Sequence, residues 1–302
     1  MTDPAPAAPL LDARHVSRRF GDFTAVDDVS LAVGAGEIVG LVGANGAGKT
    51  TFIRLLLGLL PASEGAVSMF GGPPSRRSRR RLGYVPQGLG LYRDMTVAEN
   101  AAFQAAAFGF RADDIDLPPD LVASSDRLVG SIGLGRQRQL AFACVLAHQP
   151  DALVLDEPTS GVDPLARARL WDAVRTEVEG GVGVLVTTHY MEEAQQCDRL
   201  VLMASGRIAA AGTVEEITAG RTVAEVSAPS WSEAFAVLDA DGYPVMLDGR
   251  RIRVPLHDAI TADDVGRVLD ARGIRASVRT APASLDEAMV MVSRDGVDAR
   301  GR

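Results

Sequence analysis

Only two cysteines, Cys144 and Cys197, occur in the 302 residues. Two are too few for a disulfide framework or a cysteine-based metal cluster, and Cys144 falls in an apolar helical run that reads as core. No stretch approaches 18 consecutive apolar residues, so no membrane-crossing helix is expected. Asn100–Phe110 is rich in Ala and Phe, but it is too short and carries Gln104. Basic charge is also in deficit: 31 Lys and Arg stand against 39 Asp and Glu, for a net charge of −8. That balance argues against broad nucleic-acid binding, which needs a basic surface. The first nine residues, Met1–Pro9, are Pro- and Ala-rich and lack the basic start and apolar run of a secretory signal. They are expected to be a mobile tail, and these absences together predict a cytoplasmic chain. Internal repeats are missing as well. What is present is ordinary globular material, 47% hydrophobic and 23% charged, with a length that suggests two domains.

Short apolar runs alternate with helical patterns over the first two thirds of the chain. Leu11–Val33 reads as antiparallel strands with turn signals at Gly21–Asp22 and Gly34–Gly36. Glu37–Val42, Gly65–Phe70, Leu82–Val85, Ala152–Leu155 and Val182–Thr187 read as strands. Lys49–Leu60, Arg93–Gly109, Arg136–His148 and Leu165–Val178 read as helices, with Ala112–Pro119 a polar break. Such alternation predicts an α/β fold with a mostly parallel sheet. Beyond about residue 220 the pattern becomes strand 222–226, helix 231–238, strands 244–247 and 251–254, helix 262–272 and strand 276–280, followed by a helix 285–292. This order predicts a small α+β accessory domain. The expected organisation is a tail over 1–9, a main domain over 10–218 and an accessory domain over 219–302.

Residues 43–50 spell G-A-N-G-A-G-K-T between an expected strand and an expected helix. This fits the phosphate-loop pattern G-x-x-x-x-G-K-[ST] in its required context. A polyphosphate needs several inward-pointing backbone N–H groups, so the loop must wrap closely. Gly43, Gly46 and Gly48 permit that wrap, and the start of the next helix faces the anion. Lys49 supplies a point charge, and Thr50 offers a hydroxyl to Mg²⁺. Asn45, Ala47 and Thr51 belong to the same cradle. A second apolar run ends in Asp156–Glu157. Two carboxylates at the end of a buried strand suit a nucleotide site, with Asp156 placed to hold Mg²⁺ and Glu157 to polarise an attacking water. Read without the phosphate loop, the pair would be an acidic turn before Pro158.

The stretch L-D-E-P-T-S-G-V-D-P at Leu155–Pro164, taken with the loop at 43–51, resembles the ATP-binding cassette (ABC) ATPases over roughly residues 10–218. The resemblance implies a P-loop fold of that type: a parallel core, an antiparallel β subdomain and a short helical subdomain. It also implies ATP and Mg²⁺ as ligands, a second ATPase subunit completing the site, and a membrane permease as partner, with no nucleic acid. The chain would then sit on the inner face of the membrane through that permease. Phe20, 29 residues before Lys49, stands where the family has a ring that stacks on adenine; its other reading is a packed core Phe. Gln87 matches the family's glutamine that touches Mg²⁺ and senses the permease. Asp163 matches the aspartate that crosses the dimer interface. His189 matches the switch histidine at the γ-phosphate; on its own it would read as structural.

The sequence departs from the family where L-S-G-G-Q is expected before a helix. Here it reads Ile132-Gly133-Leu134-Gly135-Arg136: Gly133 stands where the serine is expected and supplies no hydroxyl, Leu134 adds bulk in place of the first glycine, and Gly135 remains. A similar L-P-L-G spelling occurs in one branch of the family's exporter ATPases. The short span between Gln87 and this segment predicts a trimmed helical subdomain. The accessory domain, with Ser284–Ala288 near its end, resembles the ATPases of type-two export systems for drugs, lipids or polysaccharides. Two functions follow: an ATP-hydrolysing exporter subunit, or an ATP-clamping, weakly hydrolysing partner or regulator. A soluble cassette of DNA repair or translation would carry two cassettes or a long coiled coil, and neither is seen. The basic run of Arg76, Arg77, Arg79, Arg80 and Arg81 reads as a solvated turn before a strand, with acidic lipid or a permease loop as the other reading. Trp171 and Trp231 read as packing residues.

Overall fold

Three short segments, β3 (Ile38–Val42), β6 (Ala152–Asp156) and β7 (Gly183–Thr188), are buried along their whole length and are apolar up to the polar C-terminal ends of β6 and β7. Continuous apolar runs of this kind suit strands covered on both faces. The computed structural model describes residues 8–257 and 260–298, the side chains of 293–298 excepted. Most of the expected N-terminal tail therefore lies outside the described residues. The chain forms two compact units divided between Ile208 and Ala209.

In chain order the first unit contains β1 (Leu11–Phe20), β2 (Phe23–Val33), β3, α1 (Lys49–Leu56), β4 (Glu64–Met69), α2 (Arg76–Arg79), β5 (Leu82–Val85), α3 (Val97–Phe108), α4 (Pro119–Val122), α5 (Leu134–Leu146), β6, α6 (Pro164–Glu179), β7, α7 (Met191–Ala194) and β8 (Arg199–Ala204). The division between units falls within β9 (Arg207–Gly212). A six-stranded sheet runs β5-β6-β7-β3-β8-β9, with β5, β6, β7, β3 and β8 paired in parallel. A separate antiparallel sheet runs β2-β1-β4.

The main core lies between these sheets and α1. Phe52, Ile53, Leu55 and Leu56 of α1 are buried with Leu11, Val16, Val39, Leu41 and Val154. Each such large side chain contributes roughly 1.5–3 kcal/mol of transfer free energy. A second core, built from Val97, Ala101, Leu121, Val129, Leu140 and Cys144, holds α3, α4 and α5 together as the helical subdomain. A parallel core, an antiparallel β subdomain and a helical subdomain are the three parts expected from the sequence resemblance.

Boundaries differ from the sequence reading for local reasons. The helix expected over 49–60 stops at Leu56, because the chain turns at Gly58 with φ +64°, where a Cβ would lie 2.4 Å from Pro74. The helix expected from Arg93 begins at Val97, because Thr96 and Glu99 cap each other's backbone N–H groups. α5 begins at Leu134, two residues before the expected Arg136. In the basic run, Arg81 pairs with Asp151 at 2.7 Å and lies over the Phe70 ring, while Arg79 donates to the Leu57 carbonyl at 3.4 Å. Two of its five arginines are thus tied to the fold. Trp171 is buried and Trp231 half-buried, as packing residues should be.

The second unit contains α8 (Val214–Thr218), β10 (Thr222–Ser227), α9 (Trp231–Ala240), β11 (Met246–Asp248), β12 (Arg251–Pro255), α10 (Ala262–Ala271), β13 (Ser277–Pro282) and α11 (Leu285–Asp298). Its antiparallel sheet runs β11-β12-β10-β13. One sheet face packs Ala224, Val226, Ile252 and Val254 against Leu238 of α9 and Val265 and Leu269 of α10. Glu225, on the other side of β10, is directly opposite Arg253 of β12 and Arg279 of β13.

Candidate functional site

Four neighbouring parallel strands deliver their C-terminal ends to one edge of the sheet. β3 runs into the loop 43–48, β6 ends at Asp156, β7 runs into His189, and β5 runs into Gln87. Open α/β sheets bind ligands outside the carboxyl ends of their strands, and this edge carries the polar side chains singled out in the sequence.

The phosphate loop is glycine-dependent at specific atoms. Gly48 has φ +102°, and a Cβ there would lie 2.6 Å from the Ala25 carbonyl oxygen. A Cβ on Gly43 would lie 2.4 Å from the Met203 carbonyl oxygen. Gly46 has φ +84° and faces open space. A cavity of about 400 Å³ opens over the loop, lined by residues that include Asn45, Gly46, Gly48, Lys49, Thr50, Thr51, Gln87 and Glu157. Phe23 also lines it, at 67% exposure. Phe20 is not among the lining residues. It sits opposite Phe23 in the hairpin, 46% exposed, with the Arg18 guanidinium 4.6 Å from its ring centroid.

Polar groups converge at the floor of the cavity and behind it. Lys49 is 5% exposed, and its Nζ donates to the Gly43 carbonyl at 2.7 Å and the Ala44 carbonyl at 3.2 Å. Burial pushes its ammonium below the ordinary value, and the nearby charges of Glu157 and Asp156 oppose that shift. Thr50 Oγ1 donates to Asp156 Oδ2 at 3.0 Å. Thr187 Oγ1 donates to Asp156 Oδ1 at 2.7 Å and accepts the Glu157 N–H at 2.8 Å. The Glu157 carboxylate lies 3.8 Å from Lys49 Nζ, 3.3 Å from Gln87 Nε2 and 3.8 Å from His189 Nδ1. Lys49, Thr50, Gln87, Asp156, Glu157 and His189 are therefore one cluster, although the first and last lie 140 positions apart in sequence.

Gly133, Gly135 and Asp163 line a different cavity, of about 340 Å³. Gly133 caps α5 without a side-chain hydrogen bond, and a Cβ added there would meet open space. Leu134 is 41% exposed. Asp163 caps α6, accepting the Leu165 and Ala166 N–H groups at 3.0 Å each. The bond from Ala166 holds its carboxyl below the ordinary value.

Sequence reasoning missed three supports of the cluster. Thr187 joins Asp156 to Glu157. Glu193, 2% exposed, accepts the Thr188 hydroxyl at 2.6 Å and the Thr159 hydroxyl, and Arg167 Nε lies 3.3 Å away. Arg138, 5% exposed, donates to main-chain carbonyls around Glu157. No motif marks these residues, and Glu193 stands beside Glu192 in a polar stretch that gives it no signal of its own.

A glycine-dependent phosphate cradle joined to a strand-end carboxylate pair defines a P-loop nucleotide-binding protein. The ABC transporter family matches residues 26–160. The Nod factor export ATP-binding protein I of Burkholderia lata is 44% identical over 218 residues, which is 68% of this chain and 71% of that protein. The probable multidrug ABC transporter ATP-binding protein YbhF of Escherichia coli is 39% identical over 246 residues, or 78% of this chain. The chain spans only 43% of that relative's length. A solved structure of the ATP binding subunit of an ABC transporter aligns at 30% identity with a TM-score of 0.64, covering 69% of this chain and 91% of its own. The chain belongs to the ABC transporter ATP-binding proteins.

Proposed function

We propose that this chain is the ATP-binding and ATP-hydrolysing subunit of an exporter, and that ATP-driven dimerisation couples it to a separate membrane permease. The observation that carries the reading is the convergence of Lys49, Gln87, Glu157 and His189 over one phosphate cradle. Export rather than import rests on the names of the multidrug and Nod factor relatives. Among the described residues no helix is long and apolar enough to cross a membrane, so the permease would be a separate chain or segment.

ATP would lay its phosphates on the backbone N–H groups of 43–51 and the start of α1. Residues fitting Mg²⁺ are at hand: Thr50 and Asp156 already share a hydrogen bond at 3.0 Å, and Gln87 lines the same cavity. One carboxylate, one hydroxyl and the substrate's own phosphates are an ordinary oxygen set for that ion, which would neutralise phosphate charge. Glu157 would orient a water for in-line attack on the γ-phosphorus. Lys49 and His189 would stabilise the charge that develops on the phosphoryl oxygens. The cavity shared by Gly133, Gly135 and Asp163 lies apart from the phosphate cradle of the same chain. Its open start of α5 fits a head-to-tail dimer in which each such segment closes on the partner's nucleotide.

A second reading is favoured by one observation, the absence of a side-chain hydroxyl at the start of α5. It makes the chain an ATP clamp with weak hydrolysis, acting beside a more active partner or as a regulator. Steady-state hydrolysis of the purified chain, alone and with its permease, separates the two. Turnover of order one per second or more with the permease supports the exporter ATPase. Turnover far below one per minute in both states supports the clamp. The permease itself is found by purifying the tagged chain from its native membranes. Recovery only in the soluble fraction would count against transport.

A further inference from the structure

Arg138 is a buried cation whose partners are main-chain carbonyls. It is 5% exposed, lies in α5, and belongs to none of the sequence motifs. Its Nη1 donates to the Glu157 carbonyl at 3.0 Å and to the Pro158 carbonyl, and its Nη2 donates to the Ser160 carbonyl. The planar fork of a guanidinium can hold several acceptors at once, which a lysine ammonium on a flexible stem does less well. Burial pushes this guanidinium below its ordinary value, and the charges of Glu157 and Glu193 oppose the shift.

The held segment contains a strained residue. Glu157 has φ +52°, a left-handed conformation that side chains with a Cβ rarely adopt. Such a conformation persists only where the surroundings over-determine it. The amide on its N-terminal side is fixed by Thr187 Oγ1 at 2.8 Å. The carbonyl on its C-terminal side is fixed by Arg138. Between the two clamps, the carboxylate is directed to Lys49, Gln87 and His189.

We propose that Arg138 is a positioning residue for ATP hydrolysis: its hold on the carbonyls of Glu157, Pro158 and Ser160 keeps Glu157 in the left-handed conformation that aims its carboxylate over the phosphate loop. This rests on the reading of Glu157 as the residue that orients the attacking water. Arg138 is not among the residues lining the cavity over the phosphate loop, so its effect falls on turnover and not on ATP affinity.

The test uses the full chain with Arg138→Gln, Arg138→Lys, Glu157→Gln and the Arg138→Gln/Glu157→Gln double variant. Steady-state kcat and KM for Mg-ATP are measured, with the Kd of a fluorescent ATP analogue and the thermal midpoint beside them. Arg138→Gln lowers kcat about tenfold to a hundredfold, the scale of a small misplacement of a catalytic group, while KM and Kd stay within about twofold. Arg138→Lys recovers part of kcat. In the Glu157→Gln background, Arg138→Gln changes the residual rate by less than about twofold, because the group it positions is already gone. The proposal is overturned if kcat is unchanged, if kcat and nucleotide affinity fall together, if the double variant is additive, or if Arg138→Gln does not fold. Full turnover in Glu157→Gln removes the reading of Glu157 itself and the proposal with it. An inactive Glu157→Gln beside a fully active Arg138→Gln removes only the role of Arg138.

Discussion

Lys49 sits in a near-dry slot between the carbonyls of its own loop and the Glu157 carboxylate. An isolated ammonium would be costly there, and the two nearby carboxylates offset that cost. Lys49→Ala is expected to weaken nucleotide binding at least about tenfold in a fluorescent-analogue titration, since charge-assisted contacts to phosphate contribute roughly 1.5–3 kcal/mol. Gly48 tests the cradle in a different way. Its φ is +102°, and an alanine methyl there would lie 2.6 Å from the Ala25 carbonyl oxygen, so Gly48→Ala must displace the loop. Expected outcomes are a stability loss of about 1–2 kcal/mol in chemical denaturation and a weakened ATP affinity. Unchanged affinity in Gly48→Ala would mean that the cradle does not need this backbone conformation. At this scale the site was legible wherever chemistry is local in sequence. The loop 43–51 and the pair Asp156–Glu157 declare themselves through residue type and spacing. Arg138, Thr187 and Glu193 were not legible, because each acts through a main-chain or hydroxyl partner 5 to 34 residues away that no spacing rule connects.

Elements follow the same division. The three fully buried strands were visible as apolar runs, and the Thr96–Glu99 capping box was present in the sequence, although helix periodicity alone put the start of α3 at Arg93. β8 and β9 were not read from the sequence: residues 200–203 form a buried apolar run like the others, whereas in β9 the small residues 209–211 blur the alternation that marks a strand. In the second unit, β10 carries Glu225 between two cross-strand arginines, 2.9 Å from Arg253 Nη1 and 2.5 Å from Arg279 Nη2. The hydrogen bond from Arg279 holds the Glu225 carboxyl below its ordinary value; burial opposes this, and the charges of Arg251, Arg279 and Arg253 add to it. A carboxyl lowered by folding contributes its full stability above the unfolded pKa and loses it as pH falls through the folded one. Glu225→Gln is therefore expected to destabilise this unit by about 1–3 kcal/mol at pH 7. That gap should close as the pH is brought below the folded value. Denaturant unfolding followed by Trp231 fluorescence in a Trp171→Phe background reads it. A gap that stays constant with pH would show that the ion cluster is not what Glu225 supplies.

At the scale of the whole molecule, its two thiols are built in as core. Burial pushes Cys144 and Cys197 up to about 12, so neither is a thiolate at neutral pH. The native chain should give almost no reaction with an aromatic disulfide reagent at pH 8, and both thiols should react once it is unfolded. The Gly133–Gly135 segment lines a different cavity from the phosphate cradle, and under the proposed head-to-tail reading it would complete the site of a second chain. Glu157→Gln with Mg-ATP should sediment as a dimer and return to monomer when ATP is removed. The most direct test of the account is the ATP turnover of Glu157→Gln against the unaltered chain, with nucleotide affinity measured in the same preparation. The account predicts affinity within about threefold and a kcat lower by roughly 10²–10⁴, the usual contribution of a positioned general base. Turnover at the unaltered rate, with ATP bound equally well, would contradict it.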